Sequence, residues 1–195
     1  MSSWFYQRSF HLLCLLLFLV FTSCSITSTP GFYHGYKNLS EKEKQAVQFL
    51  SDSVSITHLS NNYQIAAIKG HHLRNYAEQI DSLMIYFWSP NCTQSECIPI
   101  TSFRDYCDKK GYSYLILADY YDIDKMNAQN TGSLPYLIAN HIYYNINYAN
   151  RLNGALFKDF LNLRRIDYNK FYGRFMLFNK GIHVRSYSAL PFTKN

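Results

Sequence analysis

The sequence predicts an α/β protein, with a mixed central sheet covered by helices on both faces. Three observations lead there. Short apolar runs rich in β-branched and aromatic residues alternate with stretches of helical period. Two of those runs, at residues 83–88 and 115–117, are continuous rather than alternating, as in strands buried on both faces. The chain closes on an apolar run at 175–178, then Asn179-Lys180-Gly181, then a second run at 182–185, which reads as a β-hairpin.

The chain opens on a segment outside this fold. Arg8 and His11 precede an uncharged apolar run at 12–21, too short to span a bilayer but suited to the core of a secretory signal. The run ends in Phe21-Thr22-Ser23-Cys24. Small residues before a cysteine resemble a lipobox, although that motif usually carries Leu where Phe21 stands. The resemblance implies a bacterial lipoprotein of the cell envelope. Its diacylglycerol would sit on the Cys24 sulfur and further acylation on the Cys24 amine, including a chain such as palmitate. Several acyl chains make a stable membrane anchor where one is marginal. Two alternatives stay open: an ordinary secretory signal with Cys24 incidental, and a retained membrane anchor. The expected division is signal peptide 1–23, tether 24–39 and folded domain 40–195. Ser25-Ile26-Thr27 lacks the acidic residues that mark export in some lipoproteins, which favours a periplasm-facing domain.

Ser40-Glu41-Lys42-Glu43 is a capping-box pattern, and a short helix carrying Ala46, Val47, Phe49 and Leu50 is expected after it. Residues 63–68 read as a strand. Residues 70–80 read as a helix with Leu73, Tyr76, Ala77 and Ile80 on one face. The buried strand 83–88 follows. A helix is expected over 98–110, with Phe103, Tyr106 and Cys107 inward and Gly111 ending it. A strand at 112–120, a short helix at 122–130 with Asp122 as N-cap, and a strand at 135–139 come next. Leu152, Leu156, Phe160 and Leu163 mark a last helix before the hairpin.

Composition narrows function less than fold. Hydrophobic residues make up 48% of the chain and charged residues 16%, which is globular and not disordered. The net charge of +6 falls to about +5 once Arg8 leaves with the signal. No stripe of Lys and Arg interleaves with aromatics, so nucleic acid is not an expected partner; a mildly basic face beside an anionic membrane is. There is no glycine-rich phosphate loop, no Ser-His-Asp signature and no telling pair of carboxylates.

The sharpest motif is Phe87-Trp88-Ser89-Pro90-Asn91-Cys92, with Cys97 five residues on. A buried strand, a Trp, a short loop, a cysteine and a helix together resemble the thioredoxin fold, in which the first active cysteine follows a Trp by four residues at a helix N-terminus. Phe178-Asn179-Lys180-Gly181 also resembles that family's last hairpin turn. With an exported, lipid-anchored chain, the resemblance is to membrane-anchored TlpA-like thioredoxins, over roughly residues 65–189. It implies a three-layer sandwich and thiol–disulfide exchange on extracytoplasmic proteins, with Cys92 attacking and Cys97 resolving. No cofactor and no metal are implied.

The physical case is that unpaired N–H groups at a helix start favour thiolate over thiol, and thiolate is the nucleophile. The spacing departs from the family, which places two residues between its cysteines where this chain has four, with Ser95 at the resolving position. In an ideal helix, residues five apart lie about 8–9 Å from each other, and a disulfide wants less than about 7 Å. Cys92 and Cys97 can therefore bond only if 93–96 is a loop and the helix begins later. Pro99 favours a start close by. The alternative is a pair of free or structural cysteines; Cys107 reads as core.

The family also keeps a substrate-facing cis-proline just before a strand. In one register Pro135 supplies it. In the other, the site falls near Tyr172 or Gly173 and the proline is gone. Trp88, Pro135 and Gly173 are thus the candidate substrate-binding residues. Two other functions stay open. One is a binding or structural lipoprotein that keeps the fold without the chemistry. The other is a copper carrier, since soft thiolates favour Cu(I) and His71, His72, His141 and His183 could assist Cys92 and Cys97. Otherwise these histidines read as surface residues.

Overall fold

The computed structural model describes residues 33–59, 65–92, 97–129, 135–164 and 173–191. Residues 1–32, which include Cys24, and residues 93–96, between Cys92 and Cys97, lie outside that set. Residues 32–195 form one compact unit.

Seven strands form one sheet: β1 (Val47–Phe49), β2 (Ile65–Ile68), β3 (Leu83–Trp88), β4 (Ser113–Ala118), β5 (Tyr136–Ala139), β6 (Phe175–Asn179) and β7 (Ile182–Tyr187). Their order is β1-β2-β5-β4-β3-β6-β7. The first five are mutually parallel, β6 runs antiparallel to β3, and β7 antiparallel to β6. The helices are α1 (Glu41–Lys44), α2 (Gly70–Gln79), α3 (Ile100–Lys110), α4 (Ile123–Ala128), α5 (His141–Tyr144) and α6 (Ala149–Phe160). The protein is an α/β sandwich of three layers around a mixed sheet.

Strand side chains alternate between faces, so the sheet has two cores. Met84, Tyr86, Trp88, Ile116 and Ile138 pack against Ile100, Phe103 and Cys107 of α3 and Ile123 and Met126 of α4. Leu83, Ile85, Leu115, Leu117 and Leu137 pack against Leu73 and Ala77 of α2 and Leu152, Leu156 and Phe160 of α6. Burial on both faces is why β3 reads as an unbroken apolar run.

Several local signals act as expected. Ser40 and Glu43 form a reciprocal capping box. Asp122 caps α4 by accepting from the Lys125 N–H, and Gly111 closes α3 at φ 69°. The β6–β7 turn places Lys180 and Gly181 at φ 46° and 78°, the positive values a two-residue hairpin demands.

Other expectations give way. The helix after Ser40 stops at Lys44, and Val47–Phe49 pairs in parallel with β2. A β-branched residue and a ring in a half-buried strand gain more from that pairing than from a short exposed helix. Residues 33–39, counted with the tether in the sequence, pack on the fold. Tyr33 bridges Tyr148, His34 is 3% exposed, and Leu39 joins the core. Strand β7 is an outer edge, with Ile182 and Val184 exposed and a register shift opposite Leu177 and Phe178.

Candidate functional site

The parallel strands β3, β4 and β5 end on one edge of the sheet, and the cysteine loop rises from it. Trp88, the last residue of β3, is 3% exposed and stacks on Tyr136 with ring centroids 5.1 Å apart. It therefore supports the loop from beneath and offers no free face to a substrate. A turn follows in which the Cys92 N–H donates to the Ser89 carbonyl at 3.2 Å.

Cys92 and Cys97 form a disulfide with Cα atoms 6.0 Å apart. The helix begins after the pair, as the spacing requires: α3 starts at Ile100, with Pro99 as its N-cap. Cys92 stands eight residues before the helix, not in its first turn as the sequence suggests. Cys97 stands three residues before it. Cys107 is fully buried on α3, and burial pushes its thiol up to about 12.

The frame around the loop is polar and fixed. Tyr86, fully buried, donates its hydroxyl to the Ile98 carbonyl at 2.9 Å, and burial raises its pKa to about 12. Lys125 donates to Asn91, and the Ile100 N–H donates to Gln129 Oε1 at 3.3 Å. Asp119 follows β4 directly, and its N–H donates to the Trp88 carbonyl at 3.1 Å. Its Oδ1 is sealed from solvent and has no hydrogen-bond partner among the described residues. Burial raises the Asp119 carboxyl to about 6, against a hydrogen bond with the Ser89 side chain and the Arg174 charge, which lower it. Sequence reading passes over Asp119, because an acid after a strand gives no sign of how deeply the neighbouring strands and loops will cover it.

The pairing also separates the two proline registers. Phe175 of β6 lies opposite Tyr86, so Arg174 and Gly173 come level with Phe87 and Trp88 at the loop edge. The Phe87 N–H donates to the Arg174 carbonyl at 2.7 Å. Tyr136 lies opposite Ile116 and Tyr86 in turn, so Pro135 enters β5 well below that edge. Gly173, not Pro135, thus lies at the sheet edge where β3 leads into the cysteine loop. Its φ is 148°, and a Cβ there would meet the Tyr187 carbonyl oxygen at 2.6 Å. A side chain is excluded by the close approach of β7, which accounts for the glycine.

The histidines do not gather at the cysteines. His34 and His141 lie with ring centroids 4.1 Å apart and their planes tilted by 30°, within a ring cluster that includes Tyr36, Phe49 and Tyr121. Burial lowers both, His141 to about 4, where the neighbouring His34 adds to the effect. His183 bonds Ser186 at 2.9 Å. Asp52, His71 and His72 could approach one ion. However, His72 Nδ1 accepts from the Lys69 N–H, and its Nε2 faces the Ser51 carbonyl at 3.0 Å, so it must carry its proton there. The Lys69 ammonium already occupies Asp52. His72 is buried and structural, not the surface residue its sequence context suggests.

No helix among the described residues is long and apolar enough to cross a membrane. Comparison with family models, with curated proteins and with solved structures finds no match for this chain.

Proposed function

We propose that this chain is an exported, lipid-anchored protein of thioredoxin-like fold that exchanges thiols and disulfides with extracytoplasmic proteins. The observation that carries the reading is the Cys92–Cys97 bond at the carboxyl end of a central strand, between Trp88 and a following helix. In the reduced form, the Cys92 thiolate attacks a substrate disulfide and releases one substrate thiolate. Cys97, deprotonated, then attacks the Cys92 sulfur and releases the second substrate thiol. The Cys92–Cys97 disulfide is the product, so two electrons pass from the cysteine pair to the substrate. The reverse sequence oxidises a dithiol.

One observation favours a second reading, a binding lipoprotein without exchange chemistry. With α3 starting at Ile100, Cys92 does not occupy the first turn of a helix, the position where unpaired N–H groups favour a thiolate. The reduction potential separates the two. The pair is equilibrated in graded redox buffers, alkylated and read by mass. A potential between roughly −120 and −270 mV places it among exchange catalysts. A value below about −300 mV makes it a structural staple and leaves the binding protein. Copper retained through purification and lost with either cysteine replaced is the outcome a metal carrier requires.

A further inference from the structure

We infer that the corner between α5 and α6, together with the strap that leads into it, rests on the surface of the membrane that holds the anchor. This rests on the reading of Cys24 as lipid-bearing. Among the described residues, six large apolar side chains are exposed, and four of them belong to this corner: Ile142 and Tyr143 on α5, and the stacked pair Tyr33 and Tyr148 just before α6. They are Tyr33 at 57%, Ile142 at 64%, Tyr143 at 55% and Tyr148 at 41%. Single exposed apolar residues are ordinary, but a cluster calls for a partner.

The cluster is held rigidly from below. Tyr33 stacks on Tyr148 at 5.2 Å, and their backbones bridge. Tyr144 packs edge-on against Tyr143, and its hydroxyl donates to Asp159 at 2.7 Å while accepting the Gly70 N–H at 2.8 Å. Cations sit on the rings. Lys69, ion-paired with Asp52, lies 4.5 Å from the Tyr143 centroid, and Arg151 lies 5.6 Å from that of Tyr148. Tyrosines with an apolar body and a wet hydroxyl, next to Lys or Arg, suit the headgroup layer of a bilayer.

The position of the chain's entry selects this occupant over others. Tyr33 is nine residues after Cys24, so even a fully extended tether spans at most about 32 Å. The anchor keeps this corner within about one domain diameter of the lipid. A contact too weak to recruit a free protein becomes effective at that local concentration. The same corner follows β5 at the sheet edge from which the cysteine loop rises, so docking places the disulfide toward the membrane.

The test uses the mature chain extracted from membranes and reconstituted in vesicles of phosphatidylethanolamine and phosphatidylglycerol. The photo-crosslinking residue p-benzoylphenylalanine replaces Ile142, Tyr143 or Tyr148 in turn, and Lys109 or Val184 as references. Lipid adducts several-fold above both references at the three corner positions are expected, and the double variant Ile142→Ser, Tyr143→Ser should lower the yield at position 148. Equal yields everywhere overturn the inference. So do adducts from the corner to a second copy or to residues 24–32 in place of lipid. The mass of the N-terminal peptide reports acylation of Cys24 separately. If it is bare, the anchor reading falls, and the adduct pattern with the same vesicles still decides whether this face binds lipid.

Discussion

Replacing Asp119 with Asn should stabilise the protein above pH 6 and leave it unchanged near pH 4. The carboxyl follows β4 with one oxygen sealed and without a partner among the described residues, and burial lifts its pKa from an ordinary 3.8 to about 6. Below the lower value the acid is neutral in both folded and unfolded chains, and no penalty exists. Between the two values the folded chain holds the extra proton, so stability falls as pH rises. Above about 6 the full cost is present. The displacement corresponds to about 3 kcal/mol, an upper scale because nearby groups can relax. The asparagine keeps the shape and can still bond Ser89. The assay is urea unfolding of residues 32–195 for both proteins from about pH 4 to pH 7, read as the difference between them. The difference is essential because the buried His34 and His141 act in the opposite sense. Their folded pKa values are depressed, so they cost stability as pH falls below about 6.5. Subtraction cancels them. A difference that does not grow with pH, or an Asn variant weaker at pH 7, refutes the reasoning.

Two further outcomes follow from packing. Gly70→Ala, which in an ordinary helix gains about 0.5–1 kcal/mol, should here cost about 1–3 kcal/mol. The new Cβ would lie 2.3 Å from the Phe160 main-chain nitrogen, so α2 and α6 must part; an unchanged urea midpoint would show that they part freely. Cys107, fully buried with its thiol pushed up to about 12, should resist alkylation at about pH 8 in the folded, reduced chain of residues 32–195. Mass should then show two adducts, on Cys92 and Cys97, and three only in denaturant.

Legibility in the sequence tracked the range of the forces involved. β3, α2, α3 and the β6–β7 hairpin were readable because burial on a sheet face, a helical period, Gly111 and Lys180-Gly181 are local statements. Pro99 likewise announced the delayed start of α3, and with it the geometry that lets Cys92 and Cys97 bond. β1 was misread as helix because its three residues become a strand only by pairing with residues 65–67. α5 was missed because four residues carry no period, although Asn140 caps it by accepting from the Tyr143 N–H. Trp88 was visible as a motif, while its burial against Tyr136 depends on β5 lying two strands away. Asp119 and the His34–His141 pair were invisible for the same reason: each owes its character to neighbours distant in the chain.

The strand order also dictates how the molecule must assemble in time. β3, β4 and β5 are neighbours in both sequence and sheet, and β1–β2 and β6–β7 are similarly self-contained pairs. The two seams between these three blocks are not. β2 must find β5, joining Ile65 to Tyr136, and β6 must find β3, joining Phe178 to Leu83. Closing such long loops costs entropy before any contact repays it. As the chain emerges N-terminus first, one side of β2 stays unpaired until β5 arrives, and one side of β3 until β6 does. The central strand that carries the cysteine loop is therefore the one completed by the last hairpin to be made.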